Sequence, residues 1–519
     1  MPELKRSRGL TAIHSGKSGQ LTGIGQNIDI KQLISFVITP AVILWIILFV
    51  DFVPDNPKVT YAFCVALLMA VWWITEVVPL AITSLLPVAL FPLYGIMDGK
   101  AVSATYFNDV IFLFMGGFLV ALAMERWNLH KRIALKILSV TGVSPARILL
   151  GFMASSFFLS MWISNTATVM MMLPIVTSII RQLDDYMNNQ SSTKFSVGLL
   201  LGIAYSASIG GMATLVGTPP NLSLVRIFTI YFPNLPEISF SGWIIFALPV
   251  SLILFAITWG YLFMSFKPKK EEWIEIDKNT FHNLLKGMGR TSFEEKFVFV
   301  IFGLLAALWI FRADLSFGRF VIPGWGGIFP TASFINDGTV AIFMALILFL
   351  VPSRSEKGAK LLDWATASKL PWHILLLFGG GFALATGFKE SGLSLWFGSQ
   401  LAGVASLHPI VIILVISLII TFLTELTSNT ATTEMILPIL AGIAITTNIN
   451  PLLLMIPATM SASMAFMLPV ATPPNAIIFG TSRISVGQMA KTGLFLNLVG
   501  AVVITAMMYL WGSFVFNIN

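Results

Sequence analysis

From residue 33 to residue 515 the chain alternates apolar runs with short polar stretches. Many of the runs hold roughly 17–25 residues, the length a helix needs to cross about 30 Å of hydrocarbon. They fall at about 33–50, 59–76, 78–97, 106–126, 196–232, 241–266, 296–312, 337–352, 372–390, 450–482 and 489–515. Two further apolar segments, about 145–181 and 409–446, are each long enough for two half-crossings. Read as re-entrant hairpins that enter and leave on one side, they leave eleven true spans. The expected fold is an all-α integral membrane protein of about eleven transmembrane helices plus two re-entrant helical hairpins.

The polar interruptions of those two segments are copies of one another. Ile163-Ser164-Asn165-Thr166-Ala167-Thr168 recurs as Thr427-Ser428-Asn429-Thr430-Ala431-Thr432, 264 residues later, and each copy runs into Leu-Pro-Ile at 173–175 and 437–439. The same offset pairs Ser160 with Thr424, Pro145 with Pro409, and the glycine-rich run 114–118 with 378–382. This shared spacing predicts a duplicated membrane unit. A second pair, Val216-Gly217-Thr218-Pro219-Pro220-Asn221 and Val470-Ala471-Thr472-Pro473-Pro474-Asn475, stands at an offset of 254. In transporters, paired interruptions of this kind point to the substrate site.

Composition agrees with a membrane protein. Hydrophobic residues make up 56% of the 519 and charged residues 11%, too little charge to cover a soluble protein of this size. Mean hydropathy is +0.86. The single cysteine, Cys64, excludes an intramolecular disulfide, and none of His14, His130, His282, His373 and His408 has a second ligand at metal spacing. The net charge of +7 is no nucleic-acid signature, because topology accounts for where the basic residues fall. The basic first thirty residues look like a cytoplasmic tail rather than a signal peptide, since the apolar stretch near Leu33 is about as long as a full span.

With the N-terminus inside, 25 of the 31 Lys and Arg fall on the cytoplasmic side and 5 outside, while Arg226 lies within a span. That asymmetry follows the positive-inside rule and predicts an N-in, C-out arrangement in the plasma membrane. Five spans separate equivalent points of the two halves. An odd number inverts the second copy, so the repeat is expected to have inverted topology, the architecture of alternating access around a central site.

Irregular backbone at membrane depth is tolerated where it is buried in protein or lines water. Ser160 and Ser164 are four apart and share a helical face, as do Thr424 and Ser428. Hydroxyl, amide and carbonyl oxygens without thiol or imidazole suit a hard cation, and Na⁺ fits. The double prolines should unwind their spans, freeing carbonyls and aiming the next helix N-terminus at an anion. No Lys or Arg stands in the four motifs. A dianion there would depend on co-bound cations for counter-charge. Three other charges lie in apolar sequence. Glu76 suits a helix-end or scaffold role as well as a functional one, Glu425 adjoins Thr424 and is placed to tune its site, and Glu434 has Met170 as its counterpart.

At these residues the chain resembles the divalent anion/sodium symporter family of di- and tricarboxylate and sulfate transporters. The Ser-Asn-Thr pair, the Thr-Pro-Pro pair, Trp72-Trp73-Ile74-Thr75-Glu76 and the glycine-rich spans carry the resemblance over about 33–515. It implies a homodimer and an elevator-type motion of a transport domain against a scaffold. One Na⁺ site would use Ser160, Ser164, Asn165 and the Gly217 backbone, and the other Thr424, Ser428, Asn429 and the Ala471 backbone. Asn165, Thr166, Asn429 and Thr430 would hold substrate carboxylates, with Thr218, Pro219, Thr472 and Pro473 lining the pocket.

The function expected is Na⁺-coupled symport of a four-carbon dicarboxylate such as succinate, malate or fumarate. A dicarboxylate exchanger or a sulfate or tricarboxylate carrier on the same scaffold is the alternative. An enzyme would need a nucleophile–base pair or metal ligands at the membrane, and neither is evident. The expected division is a tail at 1–32, scaffold at 33–142, transport elements at 143–266, a cytoplasmic linker at 267–295, scaffold at 296–407 and transport elements at 408–519.

Overall fold

The computed structural model describes residues 30–186, 194–268, 277, 279–317, 320–516 and 518. The expected tail lies outside them except for its last residues, as does part of the expected linker.

Helix α1 (Ile30–Phe49) packs on α2 (Pro57–Thr75), which ends at Glu76 in the left-handed conformation, φ 48°. The run expected as one span at 78–97 is two short helices, α3 (Leu80–Thr83) and α4 (Leu86–Leu93). Pro87 removes the amide that would carry one helix through. The backbone freed there is covered by protein: Tyr106 Oη donates to the Ser84 carbonyl at 2.6 Å, and Trp73 Nε1 donates to Leu80 O and Ser84 Oγ at 3.2 Å. Next come α5 (Gly99–Ala104), α6 (Asp109–Arg126) and α7 (Leu129–Thr141). Asn108 caps α6, its side-chain oxygen accepting from Val110 N and Ile111 N.

The first hairpin is α8 (Pro145–Ser160) and α9 (Asn165–Tyr186), with residues 161–164 at the turn. The expected run 196–232 is α10 (Lys194–Met212) and α11 (Pro219–Tyr231), broken where the double proline stands. From Phe195 to Met212 every residue of α10 is buried, which makes it a central strut. Gly210 permits that placement, because a side chain there would meet the Phe157 backbone of α8. Then follow α12 (Phe240–Phe266), α13 (Thr280–Gly287) and α14 (Phe293–Ile310), the last opened by a reciprocal Ser292–Glu295 capping box.

A short antiparallel pair, β1 (Leu315–Phe317) and β2 (Phe320–Ile322), interrupts the helices with Leu315 opposite Ile322. This hairpin was not foreseen: six aromatic, aliphatic and hydroxyl residues are too short a run to read as strands by pattern. Helices α15 (Asp337–Leu350), α16 (Trp364–Ala367), α17 (Trp372–Ser391) and α18 (Leu393–Gln400) lead to the second hairpin, α19 (Pro409–Leu423) and α20 (Asn429–Thr447). The expected run 450–482 breaks into α21 (Pro451–Ala462) and α22 (Pro473–Phe479). The described chain closes with α23 (Val486–Met507), a π-turn at Met508–Gly512 and α24 (Ser513–Val515).

Among the described residues, seven helical stretches are long and apolar enough to cross a bilayer singly, α9 and α20 of the two hairpins among them, and six shorter apolar helices accompany them. One large core unites most helices, and a smaller one gathers α2, α4 and α17 around Trp73, Phe91 and Phe388. Phe114 of α6 and Phe378 of α17, equivalent positions at the 264 offset, meet edge to face with ring centroids 5.3 Å apart.

Candidate functional site

Each Ser-Asn-Thr sequence stands at a hairpin turn, and Asn165 and Asn429 are the first residues of α9 and α20. Unpaired N–H groups cluster at such helix starts. In the first hairpin Ser160 Oγ lies 2.5 Å from Asn165 Oδ1, and Ser164 Oγ accepts from Ala167 N at 3.2 Å as a cap. In the second, Thr424 Oγ1 donates to Asn429 Oδ1 at 2.8 Å, while Ser428 makes no side-chain cap bond. The hydroxyl–amide pair recurs at the same five-residue separation in both copies. Thr166 is half-buried and Thr430 buried.

The two helix breaks come up against these turns. Thr214 Oγ1 donates to the Met161 carbonyl and accepts from Gly217 N, fixing the first break to the first hairpin. An ideal Cβ on Gly217 would stand 2.9 Å from Gly211 Cα and 3.0 Å from the Ser160 carbonyl oxygen; one on Gly211 would stand 2.6 Å from Asn165 Oδ1. Ser160, Asn165, Gly211 and Gly217 therefore converge, and the cradle admits no side chain at either glycine. Gly211 was not singled out in the sequence. In the second copy Thr424 Oγ1 is also 2.8 Å from the Ala462 carbonyl at the end of α21, so that carbonyl and Asn429 Oδ1 share its one proton, and Ala471 is buried within the break.

Thr218 and Thr472 are the N-cap residues of α11 and α22, with Pro219 and Pro473 the first residues of those helices. Thr472 Oγ1 accepts from Asn475 N at 3.4 Å; Thr218 makes no side-chain cap bond. Asn221 and Asn475, quoted within the motifs but given no role, hold the breaks open. Asn221 Nδ2 donates to Thr214 O at 2.7 Å and more weakly to Gly211 O and Met212 O. Asn475 Nδ2 donates to Ala465 O at 2.9 Å and Leu468 O at 3.1 Å, the positions equivalent to Gly211 and Thr214 at the 254 offset. Each asparagine thus takes up carbonyls that a continuous helix would have paired.

Glu425 points to the second break and not to the turn it adjoins. Its Oε1 accepts from Phe466 N at 2.7 Å, Met467 N at 2.8 Å and Asn497 Nδ2 at 2.7 Å, and its Oε2 from Leu468 N at 3.0 Å. It is a brace for unwound backbone. Glu434, fully buried, accepts from Ser223 Oγ of α11 at 2.5 Å and sits against Gly381 of α17. Arg226, seven residues beyond Pro219 and about 10 Å along α11, faces Asp109 at 3.7 Å and is not in the cradle.

The donor set fits a hard cation. At the turns it consists of the Ser160 and Thr424 hydroxyls and the Asn165 and Asn429 amide oxygens, with no thiol or imidazole among them.

Residues 30–518 match the family model described as the sodium:sulfate symporter transmembrane region. The chain is 42% identical over 515 residues, 98% of its length and 95% of the relative, to the sodium-dependent dicarboxylate transporter SdcS of Staphylococcus saprophyticus. It is 45% identical over 486 residues, 92% of its length and 91% of the relative, to SdcS of Staphylococcus aureus. Among solved structures it is similar to MtrF of Neisseria gonorrhoeae, with a TM-score of 0.54 at 11% identity over 80% of this chain and 84% of that one. The YdaH transporter of Alcanivorax borkumensis gives 0.52 at 12% identity over 80% and 90%. At those identities the likeness is one of fold.

Proposed function

This chain belongs to the sodium:sulfate symporter family, and from that premise we propose that it is an integral membrane transporter that couples Na⁺ entry to uptake of a four-carbon dicarboxylate. The observation that carries the reading is the pair of oxygen-lined turns: Ser160 with Asn165 and Thr424 with Asn429, each against a helix break and neither with a basic side chain in its motif. The names of the relatives supply the substrate class.

In this account one Na⁺ is held by Ser160, Ser164, Asn165 and the Gly217 backbone. The other is held by Thr424, Ser428, Asn429 and the Ala471 backbone. The substrate carboxylates lie against Asn165, Thr166, Asn429 and Thr430 at the starts of α9 and α20, where helix dipoles favour negative charge. Thr218, Pro219, Thr472 and Pro473 line the pocket. The cations supply counter-charge that the protein withholds, so the dianion binds well only after them. The membrane potential opposes inward movement of an anion by about 2.3 kcal/mol per net negative charge per 100 mV. Symport with more Na⁺ charges than substrate charges reverses that sign.

The two halves form an inverted repeat, with the N-terminus cytoplasmic and the C-terminus outside. Contact between the equivalent residues Phe114 and Phe378 supports a pseudo-symmetry axis between α6 and α17. The transport elements at 143–266 and 408–519 slide as an elevator against the scaffold at 33–142 and 296–407, whose outward faces pair two copies into a homodimer. Uptake of labelled succinate into proteoliposomes, with external Na⁺ replaced by K⁺, tests the coupling. Symport predicts that uptake stops; continued uptake in K⁺ with succinate inside would identify an exchanger. A competition series with sulfate, citrate, malate and fumarate then fixes the anion class.

A further inference from the structure

Helices α7 and α14, with α8 and α13 behind them, border a cavity of about 660 Å³ that reaches Phe158, two residues before Ser160 in the first hairpin. One wall is apolar, formed by Ile133 and Ile137 of α7, Phe158 of α8 and Phe299 of α14. The rim is basic: Arg132 and Lys136 from α7, and Lys296 from the first turn of α14.

The charges are not balanced. Glu295 is the one carboxylate lining the cavity, and it is fully engaged. Its Oε1 accepts from Arg132 Nε at 2.8 Å and its Oε2 from Ser292 N at 2.8 Å. Arg132 Nη1 and Nη2 donate to the carbonyls of Gly289 and Met288. Arg132 and Glu295 so neutralise each other. Lys136 and Lys296 are exposed and make no ion pair among the described residues. Two ammonium groups from different helices remain over an apolar wall.

The apolar surface continues beyond the cavity. Below Lys296, the exposed residues of α14 are Phe299, Val300, Gly303, Leu304 and Ala307, spaced three and four apart along one side of the helix. Phe299 and Val300 are each 53% exposed and Leu304 48%. A strip of this kind, with a cation at its head, matches a lipid whose chains lie along the helix and whose headgroup sits at its end. Helix α7 has the matching form: Leu129, Ala134, Leu135 and Leu138 face inward, while Lys131 and Lys136 face out.

We propose that this cavity binds one anionic phospholipid, its phosphate held by Lys136 and Lys296 and an acyl chain seated on Phe158, Ile137 and Phe299. Basic pockets between membrane helices take such headgroups. Helix α7 is the connection between α6 and the first hairpin, so an occupant bridging it to α14 would tie that connection to the neighbouring helix. The inference does not rest on the transport reading, since it is tested by binding.

The experiment is native mass spectrometry of the purified full chain titrated with dioleoyl phosphatidylglycerol or dioleoyl phosphatidylcholine. The expected result is one phosphatidylglycerol retained more tightly than phosphatidylcholine, with the preference lost in Lys136→Gln/Lys296→Gln. A second variant, Ile137→Trp, keeps both lysines and fills the cavity; it should lose the retained lipid as well. Melting temperatures in detergent alone establish that both variants are folded. Equal retention of the two lipids, an unchanged preference in the lysine variant, or unimpaired retention in Ile137→Trp would each overturn the proposal. Displacement of the lipid by inorganic phosphate alone would also overturn it, because the site would then be one for phosphate and not for a lipid.

Discussion

Thr424 reaches Asn429 at 2.8 Å across the turn of the second hairpin, and the equivalent residues Ser160 and Asn165 stand 2.5 Å apart across the turn of the first. Two hydroxyl–amide pairs in matching places make each asparagine the hinge of one half of the site. Asn165→Ala or Asn429→Ala should each lower Na⁺-driven succinate uptake by at least about tenfold, the scale of one lost bond to a charged group. Membrane insertion, followed by surface labelling, should stay normal. Near-normal uptake in both variants would refute the assignment.

The two serines differ in a way that separates stability from ion binding. Ser164 caps α9 through Ala167 N, whereas Ser428 makes no cap bond to α20. Ser164→Ala should therefore cost about 1 kcal/mol of stability and raise the Na⁺ concentration for half-maximal rate. Ser428→Ala should raise the Na⁺ requirement with little change in melting temperature. Equal losses of melting temperature in the two variants would contradict this difference.

Glu425 holds three backbone amides and Asn497 at once. Glu425→Ala leaves those donors buried and unpaired, and the loss should be about 3–5 kcal/mol, as for breaking other buried charged networks. Glu425→Gln sets an amide donor against a donor and should recover only part of it. Thermal unfolding of purified protein, followed by tryptophan fluorescence, reads this directly. A melting temperature unchanged in Glu425→Ala would sink the brace assignment.

Outside the spans, Glu294 gives a pH prediction. Burial works to raise its pKa, but the amides of Ser355, Glu294 itself and Arg354 and the Ser353 hydroxyl outweigh it and hold the carboxyl at about 2. A folded value below the ordinary 4.5 means that the stabilisation is fully present above about pH 4.5 and is lost as pH falls toward 2. Wild-type protein should lose melting temperature across that window. Glu294→Gln should start lower at neutral pH and show a flatter acid slope, and parallel slopes in the two proteins would be the contrary result.

Much of this architecture could be read from the chain because duplication printed it twice. The turns at Ser164 and Ser428 and the breaks ahead of Pro219 and Pro473 carry their own local causes, proline and repeated polar residues. What escaped depends on side chains brought in from distant parts of the chain. The break at Ser84 lies inside an apolar run and is sustained by Tyr106 and Trp73 from other helices. Glu425 meets partners 41 to 72 residues away, and Glu434 finds Ser223 from 211 residues away. Adjacency to Thr424 allowed Glu425 a role in tuning that turn, and its side chain is bonded to the backbone of the neighbouring break. Asn221 and Asn475 were visible as letters, but their work depends on carbonyls that become free only when the helix opens.

Throughout this reading, sodium makes the anion site. Equilibrium binding of succinate to the purified protein, measured by calorimetry across a series of Na⁺ concentrations with K⁺ holding ionic strength constant, tests it most directly. Succinate affinity should rise steeply with Na⁺, Na⁺ affinity should rise reciprocally with succinate, and no binding heat should appear in K⁺ alone. Succinate binding of equal affinity in Na⁺ and in K⁺ would contradict it.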